Sequence, residues 1–113
     1  MTTAIAVDGA DALYLAIVGD GVLHTTPLPA VGRVGLGRAA ENEIRIDDGS
    51  ISRNHAVLLV GDTTLHIVDN HSANGTWVRE QRIQPTVPVE IRVNESVRLL
   101  LVSVVSCTLA VKK

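Results

Sequence analysis

An all-β fold, a two-sheet β-sandwich of about eleven strands, is what this chain predicts. Short runs rich in β-branched residues recur along its 113 residues, split by Gly, Pro, Asn and Asp. Helical periodicity is scarce. The runs fall at the even spacing of a two-layer sandwich, and with Phe absent the core must be built from Val, Leu and Ile.

The elements follow in order. Residues 13–18 are apolar throughout and read as a buried strand. Gly19-Asp20-Gly21 is a hairpin turn, because Gly accepts the positive φ such turns need, and residues 22–26 return. Pro27 and Pro29 confine this segment to an edge or a loop, since Pro donates nothing to a ladder. Residues 33–37 form a short strand, Glu41-Asn42-Glu43 a turn, and residues 44–46 alternate apolar with polar. Residues 47–50 are a loop by composition and lead the chain into residues 51–55. Residues 56–60 and 65–69 are partner strands around a turn at Gly61-Asp62. A polar loop then runs from Asp69 to Gly75. Strands at 76–79, 82–84, 87–91, 97–102 and 104–111 complete the set, with a turn at Asn94-Glu95.

Composition excludes several function classes. The length fits one domain, residues 1–113 with a core of about 13–109. Net charge is −2, so no global basic field draws in nucleic acid, and one Trp and one Tyr make no base-stacking platform. Direct nucleic-acid contact is therefore not expected. The first twelve residues carry Asp8 and Asp11 and lack the basic start of a secretory signal. No apolar run reaches membrane-span length. Cys107, the one cysteine, lies in an apolar run, reads as a small buried hydrophobe and can form no intrachain disulfide. A soluble, cytoplasmic protein is expected. Lys112-Lys113 is either the true end or the cut edge of a longer regulatory protein.

Three polar clusters stand at the ends of aliphatic runs: Gly37-Arg38, Ser52-Arg53-Asn54-His55 and Asn74-Gly75-Thr76. Polar groups at strand ends converge on one rim of a sheet, where loops build sites. Two Arg, a Ser, an Asn and a Thr in such places suggest an anion site. In order and spacing the clusters resemble the pattern of a forkhead-associated domain: Gly-Arg, then Ser-x-x-His, then Asn-Gly-Thr. The flanking runs 44–46 and 65–69 fit as well, and the likeness extends from about Leu13 to Leu109. The section from Leu13 through Arg38 further resembles the domains fused to bacterial sigma-factor-dependent transcriptional activators. The family implies an eleven-stranded sandwich and phosphothreonine-peptide binding, with a Ser/Thr kinase upstream.

A phosphothreonine carries about −1.5 to −2 charge and three strong acceptor oxygens. By the resemblance, Arg38 reaches the phosphate or the adjoining peptide backbone, using a planar fork that Lys cannot copy. Ser52 donates its hydroxyl to a phosphate oxygen. Alone it would read as a loop Ser bonding its own backbone. Arg53 offers a donor to phosphate or peptide, with a solvated surface charge nearly as good a reading. Asn74 bonds the peptide main chain, while Asn74-Gly75 is also a turn dipeptide. Gly37, His55, Gly75 and Thr76 are loop-structural. His55 has no Cys or His at metal-ligand spacing, so it is read as a buried ring holding the Ser52 segment, and no metal or cofactor is expected. His24 and His66 are half-exposed strand residues, and Trp77 packs rather than recognises. His71, in the loop beside the site, is a pH-sensitive neighbour, since an arriving phosphate favours its charged form.

Some residues depart from the family pattern. Ala73 stands where a side-chain donor is common, and losing a charge-assisted bond costs about 1.5–3 kcal/mol. Arg79-Glu80 replaces the usual Asn-Gly of the next turn. Two rival readings remain. One is a phosphate-independent interaction or dimerisation domain that uses a sheet face. The other is a hydrolase built on Ser52, His55 and Asp69, which the sequence order and the lack of a nucleophile elbow disfavour. No enzyme is expected.

Overall fold

The computed structural model of the chain describes residues 11–19, 22–99 and 102–110. They form eleven strands and no helix: β1 (Asp11–Gly19), β2 (Val22–Pro27), β3 (Gly32–Gly37), β4 (Ile44–Arg45), β5 (Ala56–Val60), β6 (Leu65–Asp69), β7 (Trp77–Val78), β8 (Gln81–Arg82), β9 (Val89–Ile91), β10 (Ser96–Leu99) and β11 (Val102–Ala110). A six-stranded sheet runs β2-β1-β11-β10-β7-β8 and a five-stranded sheet β4-β3-β5-β6-β9. Named strands pair antiparallel except β3 with β4. The turn residues Asp20 and Gly21 and the side chains of His24 and Cys107 lie outside the described set.

Period-two alternation builds the core. Leu13, Leu15 and Ile17 of β1 face Val34 and Leu36 of β3, Leu58 and Val60 of β5, Leu65 and Ile67 of β6, and Val97 and Leu99 of β10 within one apolar cluster. Successive strand residues point to opposite faces, so each inward Leu or Ile brings an outward neighbour with it. The run at 13–18 is apolar throughout but is not buried throughout: Tyr14 and Ala16 are half-buried and Val18 is exposed. Apolar residues on the outer face are ordinary in folded proteins. Likewise Val78, not Trp77, faces the core.

Several boundaries move from the sequence expectation. The strand expected at 76–79 ends at Val78, because Arg79 and Glu80 both take positive φ, 50° and 66°. The strand expected at 82–84 is Gln81–Arg82, the return arm of that turn. The strand expected at 87–91 begins only at Val89, since Thr86 sits at φ 68° and the Val87 amide bonds back to Gln84 O. Val102, expected to end one strand, opens β11.

The β7–β8 hairpin therefore has a two-residue turn with positive φ at both central positions, the geometry Asn-Gly favours. Arg79 and Glu80 hold it at a steric cost of about 1 kcal/mol or more each. Arg79 is anchored there: its guanidinium meets both carboxylate oxygens of Glu95, at 2.8 and 2.9 Å. Glu80 has no such anchor among the described residues. Glu80→Gly should therefore raise stability by about 1 kcal/mol, read as a higher denaturant midpoint at unchanged slope. An unchanged midpoint would show that the turn stores no strain at Glu80.

Candidate functional site

The ladder of β3 does not stop at Gly37. The Arg38 amide donates to Ser52 O and the Ala39 amide to Arg53 O, both at 3.0 Å, while the Ile46 amide donates to Gly37 O from the other side. This closeness requires glycine: a Cβ on Gly37 would lie 2.2 Å from Arg53 O. Arg38 is thereby delivered beside Ser52. Its Nε donates to Ile51 O at 3.1 Å, which fixes the guanidinium plane and leaves both terminal nitrogens without a partner among the described residues. Asn42 clamps the same junction, donating from Nδ2 to Ala39 O at 3.0 Å and to Arg53 O at 2.7 Å. Arg45 bonds Arg38 O through Nε at 2.8 Å.

His55 joins this loop to the one after β6. Its ring is fully buried. Nδ1 accepts the Ser52 amide at 3.0 Å, and Nε2 lies 2.9 Å from Gly75 O. A nitrogen that accepts from an N–H carries no proton, so the ring is the neutral Nε2–H tautomer and donates to Gly75 O. Burial holds its pKa below the ordinary value near 6.5, against the opposing pull of Gly75 O and the Asp69 carboxylate.

Asp69 anchors the second loop. Oδ1 accepts Ser72 Oγ at 2.5 Å and Thr76 Oγ1 at 2.6 Å, and Oδ2 accepts the Ser72 amide at 3.1 Å. Ser72 Oγ in turn accepts the Gly75 amide at 3.0 Å. Burial raises the pKa of this carboxyl, but the bonds from Ser72 and Thr76 outweigh it and the value lies below the ordinary 3.8. Among the described residues no buried side-chain nitrogen or oxygen lacks a partner.

Two further bonds cross between the loops. The Ala73 amide donates to Ser52 Oγ at 2.9 Å, and Asn74 Nδ2 donates to Ser50 O at 2.9 Å. A hydroxyl that accepts from one side keeps its own proton to donate elsewhere. The rim thus presents the two terminal nitrogens of Arg38, the Ser52 hydroxyl and the exposed Asn74, with the Arg53 guanidinium 4.0 Å from Glu41. Such an array of donors can hold an anion and the main chain beside it.

The residues expected to converge do so. Arg38, Ser52, Arg53, Asn74, Gly37, His55, Gly75 and Thr76 belong to one hydrogen-bonded assembly, which Arg53 enters through its carbonyl. His71 is exposed in the same loop, at φ 53°. Sequence reasoning missed the anchoring parts of Asp69 and Ser72 and the clamps made by Asn42 and Ser50. For Asp69 a signal existed: an acidic residue in the inward phase of β6 must be buried, and a buried carboxylate needs donors nearby. Catalysis by Ser52 finds no support in this geometry, because both ring nitrogens of His55 are committed to backbone groups. Among the described residues no group of three or more His, Cys, Asp or Glu is placed to hold a metal, and no helix is long and apolar enough to cross a membrane.

Both buried groups make acid destabilising. The folded pKa of His55 lies below 6.5, so unfolding takes up a proton once pH falls below that value. Its contribution is whole above about 6.5 and declines as pH falls toward the folded pKa. Asp69 contributes above its unfolded value of 3.8, and that part is lost as pH falls through its lower folded pKa. Unfolding free energy measured from pH 7.5 to 5 should fall, and should fall less in His55→Gln, a variant with about 2–3 kcal/mol less stability at pH 7.5. Parallel curves would assign the slope to other groups.

The family model of the FHA domain matches residues 34–100. Among curated proteins the chain is similar to the transcriptional regulatory protein EmbR of Mycobacterium tuberculosis, 38% identical over 52 residues. That match covers 46% of this chain and 13% of EmbR, so the chain spans a small part of its relative's length. Among solved structures it superimposes on the FHA domain of the CT664 protein from Chlamydia trachomatis with a TM-score of 0.78, at 22% identity over 85% of this chain and 96% of the other. It also superimposes on M. tuberculosis EmbR in complex with a low affinity phosphopeptide, with a TM-score of 0.73 and 27% identity over 90% of this chain and 26% of the other.

Proposed function

This chain belongs to the forkhead-associated (FHA) domain family, and from that premise we propose that it binds a phosphothreonine segment of a partner protein or of its own parent chain. The carrying observation is the pre-set rim: Arg38 and Ser52 keep donors without partners among the described residues, in loops braced through His55 and Asp69. Arg38 meets the phosphate or the adjoining backbone, Ser52 a phosphate oxygen, Arg53 phosphate or peptide, and Asn74 the peptide main chain. Gly37, His55, Gly75 and Thr76 hold the loops. The likeness to EmbR, solved with a phosphopeptide, supports the same use.

A Ser/Thr kinase upstream and a cytoplasmic, regulatory setting complete the reading. The resemblance to EmbR favours a place in a transcriptional regulator. Fusion to a sigma-factor-dependent activator is the narrower form of that placement. The module acts by binding, without chemistry of its own and without touching nucleic acid or membrane. The competing reading is phosphate-independent association through a sheet face. Ala73 favours it in one respect, because its side chain gives the phosphate nothing.

Arg38→Ala should weaken a phosphothreonine peptide by about 10- to 100-fold, the worth of a charge-assisted contact. The matched unphosphorylated peptide should bind the native protein no better than that variant binds the phosphorylated one. Equal calorimetric affinities for both peptides, kept in Arg38→Ala, would instead support the phosphate-independent reading.

We propose that His71, exposed in the loop from Asp69 to Gly75, neighbours the bound phosphate. The affinity gap between the native protein and His71→Gln should be wider at pH 6 than at pH 8. Identical pH dependence would remove His71, because phosphate has its own ionisation near pH 6.

A further inference from the structure

The outer face of the six-stranded sheet carries a row of side chains that phosphate binding leaves unused. In register, Arg82 of β8 faces Trp77 of β7, and Trp77 faces Arg98 of β10. The adjacent residues along the chain, Val78, Ile83, Val97 and Leu99, are buried, so the row points outward. Arg98 lies 4.8 Å from the centroid of the Trp77 ring, within cation–π range. Neither Arg82 nor Arg98 forms an ion pair among the described residues. The nearby Glu95 is already held by Arg79, and Glu80 stands exposed in the β7–β8 turn.

The row starts at the recognition loop. Arg82 lies over Gly75, where an added Cβ would come within 2.6 Å of its Nε. The Trp77 indole N–H points at Asn74 O, 3.4 Å away. Beside Arg98 a depression of about 240 Å³ opens, lined by Trp77, Arg79, Glu80, Glu95, Ser96 and Arg98; with two carboxylates in its wall it is not where an acidic side chain sits, and the cationic part of this face is the row itself.

We propose that the Arg82–Trp77–Arg98 row is a second part of the ligand site and takes acidic side chains flanking the phosphothreonine on one side. This rests on the phosphothreonine reading. Guanidinium forks with unengaged donors match carboxylates in geometry as well as charge. Strands lie about 4.8 Å apart, so Arg82 to Arg98 spans roughly 10 Å, which an extended peptide crosses in about three residues. This strip of the sheet face, continuous with the phosphate rim, is where an acidic segment is accepted.

The test uses phosphothreonine peptides identical except for Asp or Ala at two to five positions before or after the phosphoresidue. Each is titrated against the native protein, Arg82→Gln and Arg98→Gln. On one side the acidic flank should tighten native binding by about fivefold, the scale of one or two exposed ion pairs, and less at high salt. Either variant should reduce that gain while holding the Ala-flanked peptide within about twofold of native. Trp77 is the one tryptophan of the chain, so its fluorescence should respond to the acidic peptide more than to the neutral one. Equal affinities for both flanks, or variants that weaken both peptides alike, overturn the row's role and leave phosphothreonine binding standing. No binding of any phosphorylated peptide overturns both, and so marks failure of the underlying reading.

Discussion

The interaction on which the site depends is the buried imidazole of His55 between two backbone groups from different loops. A neutral ring with one donor and one acceptor can join an amide N–H to a carbonyl, and here it joins Ser52 to Gly75. Burying such a ring without partners costs several kcal/mol, and with both partners made the cost is largely offset. The ring therefore forces a choice: the loops stand in this relation, or buried polar groups go unpaired. Asp69 repeats the device in the second loop, drawing Ser72 and Thr76 into a single carboxylate. The loops are fixed by what lies beneath them, so a ligand meets donors already in place and need not order them on binding.

Sterics set the other half of the frame. Gly37 lets β3 approach Arg53 so closely that any side chain would collide with the Arg53 carbonyl. Without that approach the Arg38 and Ala39 amides would lose Ser52 and Arg53, and Arg38 would swing away from the hydroxyl it accompanies. The Gly of Gly37-Arg38 is thus a requirement of packing, and the Arg is the group that packing delivers. The contrast with the β7–β8 turn is instructive. There the backbone wants glycine and has Arg79-Glu80 instead, a strain of a kilocalorie or so that the sandwich tolerates. A Cβ at Gly37 would displace backbone rather than strain a torsion, and no comparable tolerance exists.

Much of this was legible in the sequence because strand periodicity and turn residues are local signals. The apolar runs at 56–60 and 65–69, split by Gly61-Asp62, announced β5 and β6, and Asn74-Gly75 announced a tight bend. The three polar clusters were visible as clusters. What could not be read was set by pairing between distant strands. Nothing near Asn42 says that its amide reaches Arg53 O, and nothing near Trp77 says that it stands between Arg82 and Arg98. The sequence requires one of Trp77 and Val78 to face the core but does not say which; the phase of the two-residue strand puts Val78 there. Boundaries failed where single residues took positive φ, as at Arg79 and Thr86, which propensity does not foresee.

Ala73 shows how the frame bears on binding strength. Its side chain gives nothing to a phosphate, and its amide is already committed to Ser52 Oγ. That commitment is itself useful. With one lone pair of the hydroxyl engaged, the Ser52 proton has fewer directions left and is biased toward the open rim, so one donor is better aimed where a second is missing. Aim does not replace charge: a side-chain donor to a dianion is worth about 1.5–3 kcal/mol, more than orienting a neutral hydroxyl returns. A domain built this way gains further affinity most readily outside the phosphate contact. The sheet face that begins at Gly75 offers that area, with Arg82 and the Arg98–Trp77 pair along it, neither guanidinium in an ion pair among the described residues.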